Sequence, residues 1–137
     1  LTKKKIEGDN KTPIGSFNLE HLYYRADKLK KPFTNLKTIR ITKKMSWCDD
    51  VRSKYYNKLL KINKKVRHEK LYRRDFKYDL LIPIKYNFNK PKKSLGSCIF
   101  IHLTKNYSST KGCIGLKKND FLILLKLINK KSKINIT

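Results

Sequence analysis

Two residues in the last third of the chain have the types and spacing that thiol chemistry requires. Residues 97–103 alternate in a way that predicts a strand, with Cys98, Phe100 and His102 on one face. Cys113 follows a polar loop, eleven positions after the histidine. A thiol is a good nucleophile only as the thiolate, and an adjacent imidazole accepts its proton and holds the ion pair. We therefore predict that a hairpin-like return brings Cys113 beside His102.

The residue before the candidate nucleophile is Gly112, which has no side chain to keep a reacting carbonyl away from the backbone. Backbone N–H groups at Gly112 and Cys113 are therefore the candidate oxyanion donors. A polar group is also expected to orient His102, with Ser97, Ser109 or a backbone carbonyl as candidates. The opposite face of the strand (residues 99, 101 and 103) is wholly apolar, which predicts core packing.

The pattern resembles the signature of the L,D-transpeptidase catalytic domain (YkuD-like) family, a strand-borne histidine followed after a spacer by Ser/Thr-x-Gly-Cys. Three further stretches resemble a branch of that family. They are residues 7–15 (EGDNKTPIG), residues 47–57 (WCDD and YN) and residues 86–102 (YN and GSCIFIH). Two positions depart from the best-known motif. Lys111 stands where a second histidine is common, and Gly115 where arginine or asparagine is common.

The resemblance implies a small mixed β-sandwich. The sequence pattern agrees, with several short strands followed by one helix whose apolar stripe comprises residues 121, 124, 125 and 128. We expect a mainly β (α+β) fold with this helix packed on it, capped by Asn119 or Asp120 and buried on more than one side. Pro83 predicts an edge strand or a bulge.

Residues 1–137 are expected to form a single catalytic domain, and residues 132–137 a frayed tail. Family members usually carry sequence before the segment at residue 7, so an upstream strand is expected to be missing or to sit elsewhere. The chain begins on Leu1, and residues 1–5 show no secretory signal. No apolar run approaches the roughly 20 residues that cross a bilayer. A monomer is expected.

The family implies a cysteine acyltransferase acting on peptidoglycan stem peptides in the bacterial periplasm or cell envelope. Cys113 would release a terminal D-amino acid as a thioester forms, and His102 would move the protons. An amine acceptor gives L,D-transpeptidation, whereas water gives an L,D-carboxypeptidase or another hydrolase, and the same residues serve both. Transpeptidation is favoured as the commoner family activity, and no metal or organic cofactor is implied.

Eight further residues are candidates for the substrate groove. For Trp47 and the adjacent pair Asp49 and Asp50 we favour a structural alternative, in which one aspartate caps a turn and the tryptophan fills the core. The candidates are Trp47, Asp49, Asp50, Tyr86, Asn87, Ser109, Thr110 and Lys111.

The formal net charge of +25 raises a rival hypothesis, a non-enzymatic basic module that binds nucleic acid or an anionic wall polymer. Lysine supplies 29 of the 35 basic residues, dispersed along the chain, whereas phosphate recognition favours the arginine fork. Drift in codon usage, which enriches lysine, therefore explains the high net charge better than specific nucleic-acid binding does. An anionic cell-wall polymer remains a candidate partner.

Three cysteines leave at least one unpaired within the chain. A Cys48–Cys98 disulfide would leave Cys113 free. A zinc site formed by Cys98, His102, Cys113 and His68 is disfavoured, because the spacing lacks the paired C-x-x-C of structural zinc sites.

Overall fold

The computed structural model describes residues 1–62 and 65–137. That part of the chain forms ten strands and one helix. The strands are β1 (Gly15–Asn18), β2 (Leu22–Tyr24), β3 (Thr38–Arg40), β4 (Met45–Cys48), β5 (Leu59–Lys61), β6 (His68–Lys70), β7 (Leu80–Pro83), β8 (Phe100–Leu103), β9 (Ile114–Leu116) and β10 (Lys133–Ile136). The helix α1 (Lys118–Leu127) lies between β9 and β10.

The strands form three sheets, with the orders β3-β2-β7-β8-β9, β5-β4-β6 and β1-β10. The five-stranded sheet mixes parallel and antiparallel pairs, since β2–β3 and β8–β9 are parallel while β2–β7 and β7–β8 are antiparallel. Mainly β structure with a C-terminal helix confirms the predicted fold class, and the arrangement is consistent with a small β-sandwich.

The five-stranded sheet is buried on both faces, because alternate side chains enter two different clusters. Ile101 and Leu103 of β8 join the cluster that includes Phe121 and Leu125 of α1. Phe100 joins a second cluster that contains Trp47 of the three-stranded sheet. The predicted faces of the histidine strand are thereby confirmed.

The connection between β8 and β9 differs from the predicted hairpin. The two strands run parallel, and residues 104–113 cross over between them. Parallel neighbours need such a crossover, whereas a tight turn joins only antiparallel strands. The register pairs Ile101 with Ile114 and His102 with Gly115.

The helix differs from its prediction at the start and on one side. Its N-cap is Lys117, which makes no side-chain capping hydrogen bond, while Asn119 and Asp120 lie inside the first turn. Asp120 there is favoured by the positive end of the helix dipole. Ile123 and Leu127 are 57% and 76% exposed, so the expected burial on more than one side is wrong.

Two other predictions about individual segments are wrong. Residues 132–137 do not fray, because Lys133–Ile136 pairs antiparallel with β1 and buries Ile136. Four residues of alternation are too short a signal to separate an edge strand from a tail. Pro83 ends the central strand β7, where its carbonyl accepts a hydrogen bond from the Glu20 N–H at 2.9 Å. The next residue still pairs, since the Ile84 N–H donates to the Ile99 carbonyl oxygen at 2.9 Å, so the missing proline N–H does not interrupt this side of the sheet.

Candidate active site

The strand register places the two candidate catalytic residues on one face of the five-stranded sheet. Continuing the parallel β8–β9 register back by one position sets Cys113 opposite Phe100, whose side chain shares a face with His102. Cys113 packs against the cluster that contains Phe100. The sulfur and the imidazole line the same cavity, which has a volume of about 470 Å³.

The Cys113 sulfur interacts with backbone groups of two residues, Cys98 just before β8 and Phe100 at its start. Its thiol donates a hydrogen bond to the Cys98 carbonyl oxygen at 3.2 Å. Burial raises the pKa of the thiol to about 12, although the Phe100 N–H favours the thiolate in part. The resting group is therefore a neutral thiol.

The imidazole of His102 is held by the backbone, one of the three orienting groups considered from the sequence. Its Nδ1 lies 2.9 Å from the Leu103 carbonyl oxygen. A carbonyl only accepts, so Nδ1 carries the hydrogen and Nε2 keeps a lone pair. Burial lowers the pKa of His102, which keeps the ring in this neutral, basic form. The Tyr78 ring packs edge-on against it, with centroids 5.6 Å apart.

The loop that carries the thiol is fixed at two points. Thr110 donates its hydroxyl to the Cys113 carbonyl oxygen. Gly112 has a φ of +90°, and a Cβ there would lie 2.7 Å from the Lys11 carbonyl oxygen. This position therefore needs glycine for both its backbone conformation and its contact with the 7–15 segment.

Asn57 is the centre of a hydrogen-bond network that joins several of the sequence motifs. Its Oδ1 accepts from the Trp47 indole at 2.9 Å and from the Cys98 N–H at 3.2 Å. Its Nδ2 donates to the carbonyl oxygens of Tyr86 and Asn87. One side chain therefore positions Cys98, whose carbonyl contacts the Cys113 sulfur.

Glu7 holds the segment immediately before Cys98. Its carboxylate accepts hydrogen bonds from the Tyr56 hydroxyl and from Ser97 Oγ, the latter at 2.7 Å. The Tyr56 oxygen in turn accepts from the Gly96 N–H at 3.0 Å. Ser97 is thus engaged with Glu7, and His102 is oriented by the Leu103 carbonyl instead.

Four of the eight groove candidates line the cavity, namely Asp49, Ser109, Thr110 and Lys111. The other four are not among its lining residues. Trp47 is buried in the core, and Asp50 accepts a hydrogen bond from the Arg52 N–H within a turn, as the structural alternative predicts. The Tyr86 and Asn87 backbones are bound by Asn57, which makes that pair part of the scaffold.

Sequence reasoning missed several charged and aromatic residues of this cavity. Tyr78 donates its hydroxyl to Glu69, and the Arg73 guanidinium lies 4.9 Å from the centre of the tyrosine ring. Lys5 and Lys77 also line the cavity. Nothing in the local sequence distinguishes them, since each lysine is one of 29 and their proximity arises only from packing.

The three cysteines are free, so the considered Cys48–Cys98 disulfide is not present. Among the residues that the structure describes, no group of three or more His, Cys, Asp or Glu side chains is arranged to hold a metal ion. His68 belongs to β6 of the three-stranded sheet, away from the strand that carries His102. None of the helices in residues 1–62 and 65–137 has the length and apolar character needed to span a membrane.

A thiol and a basic imidazole on one face of a sheet, in a polar cavity, define a candidate cysteine-nucleophile site on a small β-sandwich. The model of the L,D-transpeptidase catalytic domain (YkuD) matches residues 2–136, and the chain belongs to this family. No curated protein and no solved structure matches the chain. Family membership makes peptidoglycan the implied substrate.

Proposed function

We propose that this protein is an L,D-transpeptidase of the bacterial cell envelope, which transfers an acyl group of a peptidoglycan stem peptide through a thioester at Cys113. The observation that carries the proposal is the cavity shared by the Cys113 thiol and His102, whose Nδ1 is tied to a carbonyl. That bond leaves Nε2 as the only nitrogen of the neutral ring able to accept a proton.

In the first half-reaction, the sulfur attacks the carbonyl between an L-centre and a terminal D-residue while Nε2 of His102 takes the thiol proton. Backbone N–H groups at Gly112 and Cys113 stabilise the oxyanion. The carbon–nitrogen bond then breaks, and His102 returns the proton to the leaving amine. The products are the free D-amino acid and a thioester on Cys113.

In the second half-reaction, an acceptor amine attacks the thioester and gives its proton to His102. The carbon–sulfur bond breaks, and the proton passes back to the sulfur. Water at the same point would make the enzyme an L,D-carboxypeptidase or a hydrolase. We favour the amine because the family is one of transpeptidases.

The test is incubation with tetrapeptide-containing muropeptides followed by mass analysis, which identifies the donor, the acceptor and the product together. We expect loss of a terminal D-amino acid with the wild type and none with Cys113→Ala. A carbapenem should add one acyl mass to the wild type and to Cys48→Ala, because Cys48 is buried in β4 outside the cavity.

Equal turnover by Cys113→Ala would contradict the proposal. So would a wild type that binds anionic polymers in a salt-dependent way yet releases no D-amino acid and forms no acyl adduct. That second result would support the non-enzymatic basic module.

A further inference from the structure

We propose that Lys77 binds the free α-carboxylate of the donor's terminal D-residue, and so makes the enzyme selective for peptide ends over blocked or continued chains. The inference rests on the proposed acyl transfer and adds a specificity residue to it. It follows from which cations of the cavity are already neutralised and from where the remaining ones lie.

Three of the five cations that line the cavity have carboxylate partners. Lys5 is paired with Asp9, Arg67 Nε lies 3.2 Å from an Asp49 oxygen, and Arg73 is paired with Asp75 at 2.6 Å. The positive charges of these three side chains are therefore balanced by carboxylates of the protein itself.

Lys77 and Lys111 are the other two, and neither forms an ion pair within 4.0 Å among the described residues. Asp75 accepts the backbone N–H of Lys77, but its carboxylate already has a two-point contact with the Arg73 guanidinium. A ligand carboxylate therefore competes with no existing partner of either ammonium group.

The position of Lys77 beside the histidine distinguishes it from Lys111. The Leu103 N–H donates to the Lys77 carbonyl oxygen at 2.9 Å, which fixes this backbone next to His102. The pKa of His102 is lowered first by burial, and the charge of Lys77 adds to that effect. Lys111 is exposed in the loop that carries the thiol, and in the described part of the chain no backbone hydrogen bond ties it to the strand of His102.

The chemistry of the leaving group favours a cation at this place. His102 protonates the departing amine, and in an α-amino acid the carboxylate is attached to the carbon that bears that amine. The carboxylate is therefore delivered to the surroundings of His102. The register partner of His102 is Gly115, so β9 supplies no charged side chain there, and Lys77 does so from the residues before β7.

The test compares two synthetic donors, a tetrapeptide stem with a free C-terminal acid and the same peptide as a C-terminal carboxamide. A charge-assisted contact of this kind corresponds to a preference of about tenfold or more in kcat/KM for the acid. Lys77→Met should lose that preference, so that its kcat/KM values for the acid and for the carboxamide become equal. Lys77→Arg should keep it.

Lys77→Gln is a second neutral variant, since the backbone contact with Leu103 survives any side chain. Lys31→Met removes the same charge from an exposed position outside the cavity and should behave as the wild type. Equal use of both donors by the wild type would overturn the inference while leaving the acyl transfer intact. Loss of the preference in Lys111→Met but not Lys77→Met would also overturn it. A wild type inactive on both donors would remove the proposed function itself.

Discussion

Burial determines the resting protonation of the two residues at the centre of the site. It raises the pKa of Cys113 to about 12 and lowers that of His102 below its ordinary value of 6.5. The Cys113 thiol is then a much weaker acid than the His102 imidazolium, so the proton stays on the sulfur. The ion pair expected from residue types alone is disfavoured until a substrate changes the surroundings, and His102 acts as a general base during attack.

We predict that alkylation of Cys113 by iodoacetamide is slow at neutral pH and still rises through pH 9. The thiolate reacts, and with a pKa near 12 its fraction increases about tenfold for each pH unit. The rate should be followed by mass spectrometry of the peptide that contains residue 113, which separates it from the other two thiols. A plateau between pH 6 and 8 would instead reveal a preformed thiolate–imidazolium pair.

At the scale of elements, the strands determine which face of the sheet each side chain occupies, and the loops position the Cys113 sulfur relative to the His102 ring. The strand β8 presents His102, but the sulfur reaches it only through residues 104–113. That loop contacts Lys11 of the 7–15 segment, whereas Asn57 and Glu7 fix the chain that leads into β8. The four motifs that resemble the family therefore serve one purpose, the relative placement of the sulfur and the ring.

We predict that Gly112→Ala is more damaging than Gly8→Ala, although both positions are left-handed with φ of +90° and +79°. At Gly8 nothing lies within 4 Å of an added Cβ, so the change costs about 1–2 kcal/mol of conformational energy. At Gly112 the clash with a backbone oxygen adds a further 1–3 kcal/mol or so.

Urea denaturation and the rate of carbapenem acylation measure the two consequences of these glycine substitutions. Acylation should fall at least about tenfold more in Gly112→Ala, because that substitution moves the thiol loop. Equal losses of stability and acylation in both variants would show that the contact with Lys11 does not position the sulfur.

At the scale of the whole molecule, charge works against folding. The chain has 35 basic and 10 acidic residues, and most of the acidic side chains are already in ion pairs. The remaining positive charges repel one another across a small surface. Such self-repulsion destabilises the compact state, and the same net positive charge attracts polyanions.

We predict that the melting temperature rises by several degrees when NaCl is increased from about 0.01 to 0.15 M. Over this range the Debye length shortens from about 30 to about 8 Å, which screens distant repulsions more than close ion pairs. Differential scanning fluorimetry measures the shift, and sodium phosphate at equal ionic strength tests whether a specific anion adds to it. A lower melting temperature in salt would mean that the ion pairs outweigh the repulsion.

Residue types and spacing, together with the resemblance to the family, determined the nucleophile and base candidates, and periodicity determined the two faces of β8 and the apolar stripe of α1. Those features are local, since alternation and helical spacing act within a few residues. The parallel β8–β9 pairing, the strand formed by Lys133–Ile136 and the neutral state of Cys113 were decided by the tertiary structure. Each depends on burial or on partners far away in sequence, as when Asn57 binds the N–H of Cys98, and no local pattern encodes such a contact.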